Sequence, residues 1–423
     1  MLPLPTRQSY TYRIASYMCT IIFISSFCLI TSSLYHTSAT ALANATVGGC
    51  PLFPADNIWN RDISSLHVHP NSANFIASIG PTSHLHADFG SGLYNGAPIG
   101  IPNIVVPASQ PFVPVSFDYA GESDPGPYPI PSNIPIEGGS QSNGDRHVIV
   151  IDSGTCRLYE MFAAYPQSNG SWKAGSGALW SLNSDSLRPS TWTSADAAGL
   201  PILPGLVRYD EITSGVINHA LRFTVNSTQS AFLWPARHSA SSSTNPNLPP
   251  MGLRLRLKAN VNISSFSRTN QIILTALKHY GMIVSDNGSS WYISGAPDSR
   301  WDNDDLHMLG TLPGSDFEAV DESSLQVNVN SGQAAGSMQV VSSPSATFTP
   351  IANTTRTHSP SSSMTPEIAE SINRKNVIIA KSNITHASSS SNYMLPIILG
   401  SALVLLTIIF SGSCLLLAKR SRK

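Results

Sequence analysis

Ionisable residues are scarce in this chain, yet four acidic residues and a histidine stand in one stretch of its sequence. Charged residues make up 12% of the 423 positions, about half the usual fraction of a soluble domain. Two carboxyl groups suit glycoside hydrolysis, in which one donates a proton and the other attacks or stabilises the anomeric carbon. A histidine beside an arginine instead suits lyase chemistry on uronates. The stretch contains Glu122, Asp124, Glu137, Asp145 and His147.

The residues of this stretch receive two predicted roles. Asp145 and His147 are candidate catalytic residues, whereas Glu122, Asp124 and Arg146 are candidate substrate-binding residues. The alternative is that Asp145, Arg146 and His147 form a turn with an ion pair that leads into the following strand.

A second group of candidate catalytic residues follows further along the chain. Asp210 and Glu211 are adjacent and would point to opposite sides of an extended segment. His219 lies on the apolar face of a predicted strand, so a buried core histidine is the alternative reading of it. We assign the base role to His147 or His219 and the acid role to a carboxyl group. The full catalytic set is Asp145, His147, Asp210, Glu211, His219 and His238.

Aromatic side chains offer binding surfaces, because flat rings stack on sugar rings. Trp291 follows an Asn-Gly turn and is expected to be half exposed, and Trp234 precedes Arg237 in the sequence. These three residues complete the predicted substrate-binding set. Core packing is the alternative for most of the tryptophans.

Histidine spacing permits a metal ion only as an alternative. His67 and His69, and likewise His84, His86 and Asp88, alternate as residues on one face of a strand do. This spacing does not define a site without further ligands at fixed distances. We therefore predict no cofactor and no metal ligand.

Several classes of protein are excluded by charge and by missing motifs. The 24 basic and 25 acidic residues give a net charge of -1, so no basic excess tracks phosphates and no nucleic-acid partner is expected. The sequence contains no G-x-S-x-G elbow, H-E-x-x-H motif, P-loop or G-x-G-x-x-G motif.

The N-terminus is typical of a secretory signal peptide at residues 1–43. Arg7 and Arg13 precede a short apolar run, and Ala41-Leu-Ala43 supplies a small-residue cleavage pattern. An uncleaved N-terminal anchor is the alternative.

The C-terminus predicts a membrane anchor. Residues 393–418 form a transmembrane helix in this reading, because Met394 to Ala418 carry no charge and are long enough to cross a bilayer. The basic tail at 419–423 stays on the cytoplasmic side. Residues 322–392 are Ser/Thr-rich and predict a disordered stalk. The chain is thus expected at the cell membrane, as a single-pass protein with an extracellular ectodomain.

The ectodomain, residues 44–321, is predicted to be mainly β, as a β-sandwich or jelly roll with a few short helices. Strands are expected at His147–Asp152 and Cys156–Ala164 as one hairpin. A second hairpin is expected to turn at Asn287-Gly288.

Further elements follow from the same patterns. A strand is expected at Ala231–Trp234, and Leu253–Lys258 is expected to hold its arginines outward. A helix should begin after Ser267 or Thr269 and end before Gly281. Short helices are predicted at Ser194–Ala198 and Asn303–Leu309.

Cysteine usage agrees with export. Cys50 and Cys156 are the two cysteines of the ectodomain, and in an oxidising compartment they are expected to form a disulfide. Two buried thiols are the alternative.

Three motifs resemble those of uncharacterised secreted bacterial proteins: Gly144-Asp-Arg-His-Val148, the segment Thr193–Pro201, and Trp234-Pro-Ala-Arg-His238. The resemblance covers about Cys50 to Val320 and implies no activity.

The sequence therefore predicts a carbohydrate-active enzyme at the cell surface, either a glycoside hydrolase or a polysaccharide lyase. Its partners would be an extracellular polysaccharide or surface glycan, and the membrane through the C-terminal helix. The alternative is a non-catalytic surface module that binds a glycan or a protein.

Overall fold

The computed structural model describes residues 45–336, which form a mainly β fold with a few short helices, as predicted. The predicted signal peptide, transmembrane helix and basic tail lie outside the described residues. Within 45–336, no helix is long and apolar enough to cross a membrane.

Seventeen short strands and four α-helices make up the described chain. The strands are β1 Thr46–Val47, β2 Cys50–Pro51, β3 His86–Asp88, β4 Leu93–Tyr94, β5 Ala97–Pro98, β6 Ile104–Val106, β7 Val115–Phe117, β8 Val148–Asp152, β9 Arg157–Phe162, β10 Tyr165–Pro166, β11 Trp172–Ala174, β12 Ser176–Ser181, β13 Leu221–Val225, β14 Arg254–Leu257, β15 Met282–Asn287, β16 Tyr292–Ser294 and β17 Phe317–Ala319. The α-helices are α1 Ser72–Ile79, α2 Tyr209–Ser214, α3 Arg268–His279 and α4 Asn303–His307. Single 3-10 turns lie at Ile58–Asn60, Ala120–Glu122, Leu203–Gly205, Met308–Thr311, Gly314–Asp316 and Ser323–Leu325.

Two sheets carry most of the structure. A six-stranded sheet has the order β17-β14-β15-β13-β16-β3, and a four-stranded sheet has the order β12-β9-β8-β6. The pairs β13/β15, β16/β3, β6/β8 and β7/β11 are parallel. A jelly roll is built from antiparallel strands, so the strand pairing departs from that part of the prediction.

The four-stranded sheet separates two apolar cores. Alternate side chains of β8, Ile149 and Ile151, enter the main core, which the six-stranded sheet shares. Val148 and Val150 face a smaller core beside Tyr128. The uninterrupted apolar run of β8 follows from this burial on both faces.

The predicted helix at α3 is confirmed, and its ends follow the sequence signals. The Ser267 hydroxyl accepts a hydrogen bond from the Asn270 amide, as an N-cap does. Gly281, at φ +65, follows the helix in the left-handed region that favours glycine. Ile273 and Leu277 are fully buried in the main core.

The hairpin predicted around Asn287-Gly288 is wrong. β13 lies between β15 and β16 and pairs with both. Leu221 and Phe223 of β13 are fully buried. Burial of β13 at the centre of the sheet outweighs the preference of Asn287-Gly288 for a tight hairpin turn. The hairpin predicted for β8 and β9 is confirmed.

Three local predictions also need correction. Ala231–Trp234 makes only an isolated bridge, between Phe232 and Met251, and Ser194–Ala198 is a series of turns. Arg254 does not point outward: it is 1% exposed and its Nη1 lies 2.8 Å from Glu322 Oε1.

The folded chain continues past the boundary predicted at residue 321. Glu322 pairs with Arg254, and Leu325 and Ala334 are buried in the main core. These two apolar side chains anchor a segment whose composition is similar to that of the predicted stalk. Residues 337–392 lie outside the described part of the chain.

The expected disulfide is present between Cys50 and Cys156, whose Cα atoms are 5.3 Å apart. It joins β2 to the turn before β9 across a sequence separation of 106. Closing so long a loop stabilises the fold by roughly 4–5 kcal/mol in the chain-entropy model.

Replacing both cysteines with serine is expected to lower the free energy of unfolding by about 4 kcal/mol, because the unfolded chain regains the closed loop's freedom. Urea denaturation of the two chains measures the difference. Adding a reductant should destabilise the wild-type chain and leave the double variant unchanged. A double variant as stable as the wild type would contradict this role.

Candidate active site

A cavity of about 390 Å³ opens at the end of β15, where loops from both large sheets meet. We call it the acidic pocket. It is lined by side chains that include Tyr119, Glu122, Asp145, Asp196, His238 and Asp286. The described residues that line it include no lysine or arginine.

A buried ion pair forms the floor of the pocket. Arg222 of β13 donates from Nε and Nη2 to the two carboxylate oxygens of Asp196, at 2.9 and 2.8 Å. Its Nη1 bonds the Ser294 hydroxyl of β16 at 2.5 Å. Arg222 is 4% exposed and Asp196 is 1% exposed. The guanidinium is thus committed to its protein partners.

Asp286 stands beside this pair near the end of β15. Its Oδ2 lies 3.8 Å from Arg222 Nη2, and its side chain is 24% exposed. Burial, together with the charge of Asp196, raises the pKa of Asp286 to about 7 against the lowering effect of Arg222. A carboxyl group with this pKa carries a proton in a large share of molecules at neutral pH.

Glu122 and His238 occupy other parts of the lining. Glu122 Oε2 accepts a hydrogen bond from the Thr193 amide at 3.1 Å, which orients the carboxylate. His238 Nδ1 lies 2.8 Å from the Ala197 carbonyl oxygen. Because a carbonyl only accepts, Nδ1 carries the proton, and the neutral ring has its lone pair on Nε2.

His147 lies behind the pocket at the start of β8. Its Nε2 is 3.0 Å from the Ala195 carbonyl oxygen, and its Nδ1 is 2.5 Å from Glu137 Oε2. The charges of Glu137 and Asp145 outweigh complete burial and raise the pKa of His147 to about 9. His147 is therefore held as a cation against Glu137 and is a poor base at neutral pH.

The structure brings Asp145, His147 and His238 to one place but leaves the other three predicted catalytic residues elsewhere. Asp210 and Glu211 belong to α2, which the sequence prediction treated as extended. Asp210 lines a separate cavity with Arg208.

Glu211 and His219 form a buried pair outside the lining of the acidic pocket. His219 is fully buried, and its Nε2 lies 2.8 Å from Glu211 Oε1. Arg208 Nη2 lies 2.7 Å from the same oxygen. Burial opposes ionisation of Glu211, but its contacts with His219 and Arg208 hold its pKa below the usual value. The structure places His219 where the core alternative expects it.

Three of the charged residues predicted to bind substrate make their contacts within the protein. Arg146 is 2% exposed and donates to backbone carbonyl groups, including that of Ser140. Arg237 Nε donates to the Arg188 carbonyl at 2.7 Å. Asp124 pairs with buried Arg188. Their side chains hold loops in place and are not among the residues that line the acidic pocket.

The predicted tryptophans do not line the acidic pocket. Trp291 is fully buried, and its indole nitrogen donates to the Gly80 carbonyl at 2.8 Å. Trp234 is partly buried and donates to the Ser331 carbonyl at 2.8 Å. The exposed aromatic residue of the pocket is Tyr119, whose side chain is 59% exposed.

Asp196, Arg222 and Asp286 are functional candidates that sequence reasoning missed. Asp196 lies within the motif Thr193–Pro201, which was noted without a role. Arg222 interrupts the apolar strand β13, and a charge in such a strand needs a partner. Asp286 lies in the segment that was wrongly predicted to form a hairpin.

The alternating histidines do not assemble a metal site. Within the described range, a single group of three or more metal-ligating side chains comes together, formed by Glu137, Asp145 and His147. His86 instead stacks against Tyr292, with ring centroids 4.1 Å apart.

Comparison with protein-family models, curated proteins and solved structures gave no significant match. The proposed function therefore rests on the geometry of the acidic pocket.

Proposed function

We propose that this protein is an extracellular glycoside hydrolase that acts on uncharged glycans in the acidic pocket. The observation that carries the proposal is Asp286, an accessible carboxyl group whose pKa is raised to about 7 beside other carboxyl groups. Pairs of carboxyl groups in different environments are typical of acid–base catalysis.

Asp286 is the proposed general acid. It donates its proton to the glycosidic oxygen while the bond from that oxygen to the anomeric carbon breaks. Glu122 is the proposed carboxylate partner, which either removes a proton from the attacking water or attacks the anomeric carbon itself. In the second case water, deprotonated by Asp286, then breaks the bond from Glu122 to the anomeric carbon. His238 also lines the pocket, and its Nε2 is the proposed hydrogen-bonding group for water or a sugar hydroxyl.

The charge of the pocket favours hydrolysis of neutral glycans over cleavage of uronates. A uronate lyase needs a cation near the substrate carboxylate. Arg222 is already paired with Asp196 and Asp286, and the lining itself contains carboxylates. An anionic sugar would be repelled by Glu122 and Asp145.

A non-catalytic glycan-binding module is the second candidate. Tyr119 supports it, because an exposed ring at the pocket provides a stacking face for a sugar. Such a module needs the shape of the pocket but has no use for the raised pKa of Asp286.

The proposed setting is the cell surface. Residues 1–43 would direct export and residues 393–418 would anchor a sandwich-like ectodomain, with residues 337–392 as the stalk. The disulfide supports this setting, since such bonds persist in oxidising compartments.

The proposal is tested by incubating the full-length chain with neutral glucans, mannans and galactans and with the uronate polymers pectate and alginate. New reducing ends from a neutral glycan support hydrolysis. Unsaturated uronate products, detected by ultraviolet absorbance, would show a lyase instead. Binding of a glycan without any cleavage would favour the second candidate.

A further inference from the structure

A compact group of three potential metal ligands lies at the edge of the acidic pocket. Glu137, Asp145 and His147 each offer one ligand atom, and these atoms lie within 4.8 Å of one another. Atoms bound to one ion about 2.1 Å away lie roughly 3–4 Å apart, so the ligand atoms would adjust to admit an ion, with Glu137 Oε2 moving away from His147 Nδ1, which lies 2.5 Å from it. The group combines two carboxylates with an imidazole.

The imidazole is held in the orientation that a metal ligand needs. The Ala195 carbonyl oxygen, 3.0 Å away, fixes the proton of His147 on Nε2 and directs Nδ1 toward Glu137 and Asp145. Metal-binding histidines usually donate their second nitrogen to a backbone carbonyl or carboxylate in this way. Ala195 lies outside the three-residue group, so its contact is an independent observation.

Glu137 is also positioned by the backbone. Its amide donates to the His147 carbonyl at 3.0 Å, and its carboxylate oxygen Oε2 lies 3.3 Å from the His147 amide nitrogen. Asp145 is exposed and lines the pocket. Two ligands are thus fixed by the fold, whereas the third faces the cavity.

We propose that Glu137, Asp145 and His147 bind a divalent transition-metal ion of the zinc type, with its remaining coordination position open to the acidic pocket. Three protein ligands and one open position are the arrangement of catalytic zinc sites. The histidine favours zinc over calcium and magnesium, which prefer all-oxygen ligands.

The surrounding charges favour a cation here. The described residues that line the adjoining pocket include Glu122, Asp196 and Asp286 and no lysine or arginine.

Isothermal titration of the chelator-treated full-length chain with Zn²⁺ tests the proposal without any substrate. We expect one Zn²⁺ per chain. Asp145→Asn should weaken binding at least tenfold while leaving the melting temperature nearly unchanged, because this side chain is exposed. His147→Gln should weaken binding as well and serves as the second ligand variant.

The matched control is His279→Asn, which breaks an exposed histidine–carboxylate pair with Asp62 that has no third ligand among residues 45–336. It should leave Zn²⁺ binding unchanged. Failure of the wild-type chain to bind Zn²⁺, equal binding by Asp145→Asn, or preference for Ca²⁺ over Zn²⁺ would overturn the proposal. Because the titration contains no glycan, these outcomes are separate from failure of the proposed hydrolase activity.

Discussion

Replacing Asp286 with asparagine is expected to lower kcat/KM for a cleaved neutral glycan by roughly 100- to 10,000-fold, the usual contribution of a general acid. Asparagine keeps the shape of the side chain but has no acidic proton for the leaving oxygen. Substrate affinity, measured by titration with an uncleaved oligosaccharide, should change little. The loss therefore falls on kcat and separates catalysis from binding.

Asp304→Asn is the matched control, because Asp304 is an exposed aspartate of α4 outside the acidic pocket. Its kcat/KM should equal that of the wild type. Thermal melting of the Asp286→Asn chain checks that the fold is retained. A folded Asp286→Asn chain with full activity would remove this residue from the mechanism.

Replacing Asp196 with asparagine is expected to destabilise the fold by roughly 3–5 kcal/mol, the usual cost of breaking one side of a buried ion pair. Arg222 would keep its charge in a site that is 4% exposed. Its remaining carboxylate neighbour, Asp286, lies 3.8 Å away. Urea denaturation at neutral pH measures the change in unfolding free energy.

The exposed pair between Lys173 and Asp118 provides the comparison for this effect. Its two side chains are 55% and 57% exposed, so Asp118→Asn should change stability by less than about 1 kcal/mol. The double replacement Asp196→Leu with Arg222→Met should recover part of the lost stability. If Asp196→Asn were as stable as the wild type, the floor of the pocket would not be an obligatory ion pair.

Capping residues and apolar runs in the sequence predicted helices and strands correctly where the tertiary contacts favour the same structure. α3 has a serine cap and a following glycine, and the apolar run of β8 has a turn after it. The structure retains both. The signals failed where long-range pairing decides the outcome, as when β13 enters between β15 and β16.

α2 shows a signal that the sequence contained but that went unused. Glu211 occupies the third helical position, and its carboxylate oxygen Oε2 accepts from the Arg208 amide at 3.3 Å. Gly215, at φ +87, ends the helix. A glutamate and a glycine at these positions are typical of helix ends, and they would have moved Glu211 out of the catalytic set.

The sequence predicted that carboxyl groups and histidines form the site, but it identified only some of the residues that do so. Asp145 and His147 stand close together in the sequence, whereas His238 belongs to the second predicted group and comes near them only through the fold. Asp286 and Asp196 depend on a parallel strand pairing and on a distant loop. Sequence spacing carries no information about such contacts.

The pH dependence of glycan cleavage tests the role of Asp286 most directly. A general acid must be protonated, so kcat/KM of the wild-type chain should fall as pH rises through about 7, the value to which the pKa of Asp286 is raised. The residual activity of Asp286→Asn should lack this alkaline limb. An alkaline limb near pH 7 that persists unchanged in Asp286→Asn would contradict the assignment of Asp286 as the acid.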